Sequence, residues 1–144
     1  MKVLLDANVI ADAFLKQEAR PGGDRQSAQL VLEAVARGRI RGMITAPIFA
    51  FVVHTVKPRR ADHRKSMEAS LGFLLDIMEW APVTAEHCRA AMASSFHDVE
   101  DGIQFFAVGG GKLDAIITRD TKDYREHVHV PVMTASEFVK KHLK

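Results

Sequence analysis

The sequence predicts an α/β fold of three layers, with helices on both sides of a mainly parallel sheet, and three observations lead there. Short apolar runs without polar alternation, Val3-Leu4-Leu5 and Ala115-Ile116-Ile117, have the form of strands buried on both faces. Between them, apolar residues recur at helical spacing, and strands alternating with helices are the pattern of a parallel sheet. A composition of 47% apolar and 26% charged residues over 144 positions is that of a globular chain long enough to bury a core. The expectation is one domain over residues 1–144, without internal repeat, low-complexity tract or linker.

The first strand runs from Lys2 to Leu5 and ends abruptly in Asp6. Val9, Ile10, Ala13 and Phe14 then mark a helix, which Pro21-Gly22-Gly23 separates from a second one started by Asp24 and stopped near Arg37 by Gly38. Arg41 to Thr45 reads as a second strand, and Thr45 to Pro47 as the start of a helix through Phe49, Val52, Val53 and Val56. Pro58 should end it. A helix through Met67, Leu71 and Leu74 follows, then a strand within Met78 to Val83 and a helix opened by Thr84 that holds Cys88 and Met92. A polar segment from Ser94 to Asp101 leads to a helix beginning near Gly102 and stopped by Gly109-Gly110-Gly111. The last strands are Ala115 to Thr118 and Val130 to Met133, and Ser136 caps a terminal helix with basic residues in its final turn. Trp80, Phe49, Phe51, Phe105 and Phe106 are assigned to the core, and His127 and His129 to one face of a strand.

A formal net charge of +2 does not announce a nucleic-acid binder, so distribution matters more than the sum. The densest basic stretch is Lys57 to Lys65, with Arg59, Arg60, Arg64 and Lys65 as candidate phosphate contacts; a solvated loop and helix face explains it equally well. A single cysteine, Cys88, excludes an internal disulfide and a cysteine-based zinc site, and fits a reducing compartment. Asp6 and Asp12 interrupt the first apolar stretch, so no leader is read there, and no apolar run is long enough to span a bilayer. The expected location is the cytoplasm.

Ligands of open α/β sheets bind beyond the carboxyl ends of the strands, which is where Asp6 and Asp120 fall. Between them in sequence lies His97-Asp98-Val99-Glu100-Asp101. Carboxylates from three distant places suit Mg²⁺ or Mn²⁺, which take oxygen ligands and keep several waters. Each acid also has a structural explanation: Asp6 and Asp98 as helix caps, Glu100 and Asp101 as first-turn acids, Asp120 and Asp123 as turn residues. Their joint placement favours a site, because capping alone does not require an apolar strand to deliver an acid to the same sheet edge twice.

Three segments, Leu4-Leu5-Asp6-Ala7-Asn8-Val9, Asp98-Val99-Glu100-Asp101 before Gln104-Phe105, and Ile116-Ile117-Thr118-Arg119-Asp120 through Asp123-Tyr124, resemble the PIN domains, which include VapC-type toxins and related ribonucleases. Their order and spacing run the length of the chain. The resemblance implies that Asp6, Asp101 and Asp120 bind metal, that Asp98 is a further catalytic candidate and that Asn8 braces the site. It also implies a Mg²⁺- or Mn²⁺-dependent endoribonuclease acting on RNA, the toxin of a toxin–antitoxin pair, with an antitoxin and a second copy of the chain as fitting partners. The chain departs from many members at one place. Where they carry a Glu on the helix after the second strand, it has Ile48-Phe49-Ala50-Phe51-Val52-Val53-His54. The rival expectation is therefore a PIN-fold module that binds RNA or protein with weakened catalysis. A phosphatase using a strand-end Asp ranks last, since its second Asp would stand where Asn8 does.

Overall fold

The computed structural model describes residues 1–16, 20–57 and 63–144. Five strands, β1 (Lys2–Leu5), β2 (Arg41–Thr45), β3 (Glu79–Ala81), β4 (Ala115–Ile117) and β5 (Val132–Met133), form one sheet in the order β3-β2-β1-β4-β5. Every pairing is parallel. Val3, Leu4, Leu5, Ala115, Ile116 and Ile117 are fully buried, the condition of central strands covered on both faces.

The helices described are α1 (Ala7–Phe14), α2 (Arg25–Ala36), α3 (Ala46–Val56), α4 (Arg64–Ile77), α5 (Ala85–Ala93), α6 (Val99–Ala107), α7 (Thr121–Arg125) and α8 (Ala135–Phe138). The chain winds outward from β1 through β2 to β3, then returns across the sheet to β4 and β5 on the other side of β1. Right-handed crossovers in opposite directions put helices on opposite faces, giving the three layers. The reversal lies between β1 and β4, whose register pairs Leu5 with Ile117 and whose ladder continues in the bond from the Asp6 amide to the Ile117 carbonyl at 3.1 Å. Such a crevice is the preferred ligand position of a doubly wound sheet.

Local chemistry sets the helix limits. Asp24 caps α2 by accepting from the Ser27 amide at 3.0 Å, and Gly38, at φ 69°, takes the left-handed turn that stops the chain beyond it. Thr45 caps α3 at the Ile48 amide, with Pro47 in the first turn. The close approach of α6 to α5 depends on Gly102, because a Cβ there would meet Ala91 Cβ at 3.0 Å and Phe96 at 3.3 Å. Among the described residues no helix is long and apolar enough to cross a membrane.

Several boundaries differ from the sequence expectation. Helix α6 begins at Val99 rather than near Gly102, because Asp98 accepts from the Glu100 amide at 2.8 Å and so starts the helix three residues earlier. Thr134, not Ser136, caps α8: it forms a reciprocal capping box with Glu137, at 3.2 and 2.8 Å. Strand β5 is shorter than expected, since Pro131 has no N–H and offers only its carbonyl, to the Ile116 amide at 2.9 Å. His127 and His129 consequently lie in the connection after α7, not on one face of a strand. Phe51 is 51% exposed and Trp80 38%, so neither is core. Trp80 sits on edge strand β3 with Phe49 against it edge-on at 5.3 Å, and Phe51 stands at the open surface of α3, whereas Ile48 and Val52 are buried. Phe49, Phe105 and Phe106 pack against the core from partly buried positions.

Candidate metal centre

The end of β1 places Asp6 where a single carboxylate serves two purposes. Its Oδ1 accepts from the Ala7 amide at 2.7 Å and caps α1. Its Oδ2 accepts from the Thr118 hydroxyl at 2.7 Å and from Asn8 Nδ2 at 3.1 Å. The same Asn8 amide group reaches Asp120 Oδ2 at 3.0 Å, while Asn8 Oδ1 accepts from the Arg119 amide at 3.2 Å. Thr118 Oγ1 also accepts from the Asp120 amide at 3.0 Å. One amide and one hydroxyl thus tie the acid at the end of β1 to the acid beyond β4, across the reversal of the sheet.

The N-terminus of α6 supplies the third group of acids. A cleft of about 530 Å³ is lined by Asp6, Asp98, Glu100, Asp101, Asp120 and Asp123, together with Asn8 and Gln104. Its apolar wall consists of Pro47, Ile48, Phe51, Val83, Cys88 and Ile103. The cleft-facing part of α3 therefore presents hydrocarbon and no acid. Gln104, buried at 8% exposure, accepts a short hydrogen bond from the Thr45 hydroxyl and so fixes α6 to the end of β2.

Electrostatics show like charges held together. Partial burial pushes the Asp101 carboxyl from the ordinary 3.8 up to about 7, and the charges of Asp6, Asp98 and Asp120 add to it. Tyr124, 1% exposed, donates its hydroxyl to Asp101 Oδ1 at 3.3 Å and opposes that rise slightly. Burial also raises Asp6, although its bonds from Thr118 and Ala7 pull the other way. The Tyr124 hydroxyl is driven far up by burial and by the neighbouring carboxylates of Asp6 and Asp101, so it stays protonated and can only donate to an anionic Asp101.

The acids singled out in the sequence, Asp6, Asp98, Asp101 and Asp120, all line this one cleft, and Asn8 is its bridge. The basic candidates do not join them. Arg59 and Arg60 lie outside the described residues, while Arg64 and Lys65 are exposed at the start of α4 and do not line the cleft; Arg64 bonds Glu68 at 2.8 Å. Sequence reasoning missed three supports. Thr118 was quoted only as part of a motif, yet it contacts both strand-end acids. Tyr124 was likewise quoted only as part of a motif, and its burial reveals its partner, Asp101. Asp12, 2% exposed, holds Arg20 at 2.9 Å and Arg119 at 3.2 Å, and Arg20 reaches the Asn8 carbonyl at 3.3 Å. An acid on the otherwise apolar face of α1 was the available signal for it.

A chain of VapBC2 from Rickettsia felis, in a crystal structure bound to a DNA fragment from their promoter, superposes with a TM-score of 0.65 at 15% identity, over 92% of this chain and 97% of that one. At that identity the likeness is one of fold. No curated protein matches. The PIN-domain family model matches residues 2–122, which takes in β1, β4 and every acid of the cleft but Asp123, and on that match the chain belongs to the PIN-domain family.

Proposed function

We propose that the chain is an endoribonuclease that hydrolyses RNA phosphodiester bonds with Mg²⁺ or Mn²⁺, and that it is the toxin of a toxin–antitoxin pair. The observation that carries this reading is the Asn8 amide bridging Asp6 and Asp120 at 3.1 and 3.0 Å in a cleft otherwise rich in acids. The donor set fits a hard cation: it is all oxygen, burial and the neighbouring carboxylates raise Asp101 and Asp6, and a divalent ion relieves that repulsion. Asp6, Asp101 and Asp120 are the residues to hold it, with Asp98 at the rim and Asn8 and Thr118 fixing the carboxylates from behind. A bound divalent ion supplies a water of lowered pKa and neutralises charge on the phosphate. The chain's own part is to orient: Asn8 and Thr118 set the angle of Asp6, Tyr124 steadies Asp101, and exposed Phe51 offers a face to a base at the mouth of the cleft.

Hydrolysis of a mixed RNA pool by the purified chain, abolished by chelator and restored by Mg²⁺ or Mn²⁺, is the expected result; no cleavage under any divalent ion would sink the enzymatic reading. The second reading, a binding module with weakened catalysis, is favoured by the apolar wall of Pro47, Ile48 and Phe51, and that negative outcome selects it. Replacing Asn8 with Ala removes the shared bridge. Mg²⁺ affinity, measured calorimetrically, should then fall about 10- to 100-fold, the usual cost of losing a residue that orients metal ligands; an unchanged affinity assigns Asn8 to the fold alone. A cognate antitoxin and a second copy of the chain remain the proposed protein partners, and RNA the proposed substrate.

A further inference from the structure

Outside the acidic cleft, His97, Glu126 and His127 each place a ligand atom within 4.8 Å of the other two, which no other set of three such residues does among those described. No three carboxylates of the cleft meet that spacing. His97 lies in the connection between α5 and α6, one residue before Asp98, and Glu126 and His127 follow directly on α7. The His97 and His127 rings meet edge to face with centroids 5.0 Å apart.

The state of His127 is what gives the cluster direction. Its ring lies over Phe96 at 5.0 Å and its Nδ1 is 2.9 Å from the Ser95 hydroxyl. Its Nε2 is buried and has no hydrogen-bond partner. A buried polar atom left without a partner is costly, and native structures rarely keep one. In the tautomer in which Ser95 accepts from Nδ1–H, the lone pair lies on Nε2, and an imidazole with one nitrogen hydrogen-bonded and the other free is the usual form of a metal-ligating histidine.

We infer that His97, Glu126 and His127 form a second metal site, selective for a borderline transition ion such as Zn²⁺ over Mg²⁺. Two imidazoles and a carboxylate suit zinc and its neighbours, whereas Mg²⁺ takes oxygen ligands and gives up its waters reluctantly. Tetrahedral zinc with bonds of about 2.0–2.1 Å holds its ligand atoms roughly 3.3–3.5 Å apart, so the observed spacing needs only a small closure. His97 and Glu126 are exposed and free to make it. Three protein ligands leave a fourth position for water. The ion clips the segment leading into α6, which carries Asp98 and Asp101, to the end of α7, which follows Asp120 and Asp123. Tyr124 already joins these two elements through Asp101. Nothing in this assignment depends on the cleft being catalytic.

The test is Zn²⁺ titration of the metal-stripped full chain by calorimetry, with excess Mg²⁺ present to occupy the cleft, and Co²⁺ substitution read by its visible absorption. One equivalent should bind, and His97→Ala should weaken it about tenfold or more; His97 is exposed, so its loss leaves the fold intact, as a thermal melt checks. Asp6→Asn/Asp120→Asn should bind Zn²⁺ as the wild type does. Zinc affinity unchanged by His97→Ala and by Glu126→Ala, or lost in the double Asp variant instead, overturns the site.

Discussion

Asp6→Asn is expected to lower metal-dependent RNA cleavage by roughly 10²–10³-fold, equivalent to about 3–4 kcal/mol of barrier, while the protein remains folded. The size of the effect follows from what the side chain has to do. Asn keeps one carbonyl oxygen, which can still accept from the Ala7 amide and cap α1. It exchanges Oδ2 for an amino group that must then face Asn8 Nδ2, itself a donor. The bridge to Asp120 is disturbed and the negative charge needed by a cation is lost. Stability should change little, because the same substitution removes a carboxylate whose ionisation burial opposes. Cleavage rate at saturating Mg²⁺ and a thermal melt together read the two halves. Cleavage retained by Asp6→Asn from a preparation free of host nuclease removes Asp6 from the metal set.

The sheet and the acids at its edge were legible in the sequence because strands buried on both faces leave an unmistakable apolar run, and each of the two that matter leads into an acid, Asp6 directly and Asp120 three residues on. Thr45, Asp24 and Gly38 likewise act locally, through caps and a left-handed turn, and were placed correctly from a few neighbouring residues. What was hidden depends on partners distant in sequence. Thr118 reaches Asp6 over 112 positions and Asp12 reaches Arg119 over 107, and a single sequence offers no signal for either pairing. The early start of α6 was hidden for another reason. The sequence offered both Asp98 as a cap, with Glu100 and Asp101 in the first turn, and a start near Gly102, and only the Asp98–Glu100 bond decides for the cap. The choice matters to function, since with Asp98 as cap Asp101 falls on the turn that overlooks Asp6 and Tyr124.

Asp101→Asn should make the metal-free protein more stable above neutral pH and at the same time remove its response to Mg²⁺. With its pKa raised from 3.8 to about 7, the folded state holds the Asp101 proton more tightly than the unfolded chain does. The stabilisation this gives is complete below the unfolded value near 3.8 and is lost progressively as pH rises through about 7. Above that the metal-free fold carries an ionised carboxylate among like charges. A shift of this size at a fully buried group would be worth about 4 kcal/mol, but the carboxylate is partly open to solvent, and screening reduces it to about 1–2 kcal/mol. The amide of Asn removes the repulsion and still accepts from Tyr124, so at pH 8 in chelator the melting temperature should rise by roughly 2–6 °C. At pH 5, where Asp101 is protonated in the fold, the gain should be smaller. Mg²⁺ at pH 8 should stabilise the wild type and leave Asp101→Asn nearly unchanged, because the ion does for the carboxylate what the substitution has already done. A lower melting temperature for Asp101→Asn at pH 8 in chelator would show that the carboxylate serves the fold through Tyr124, rather than being held under strain for a cation.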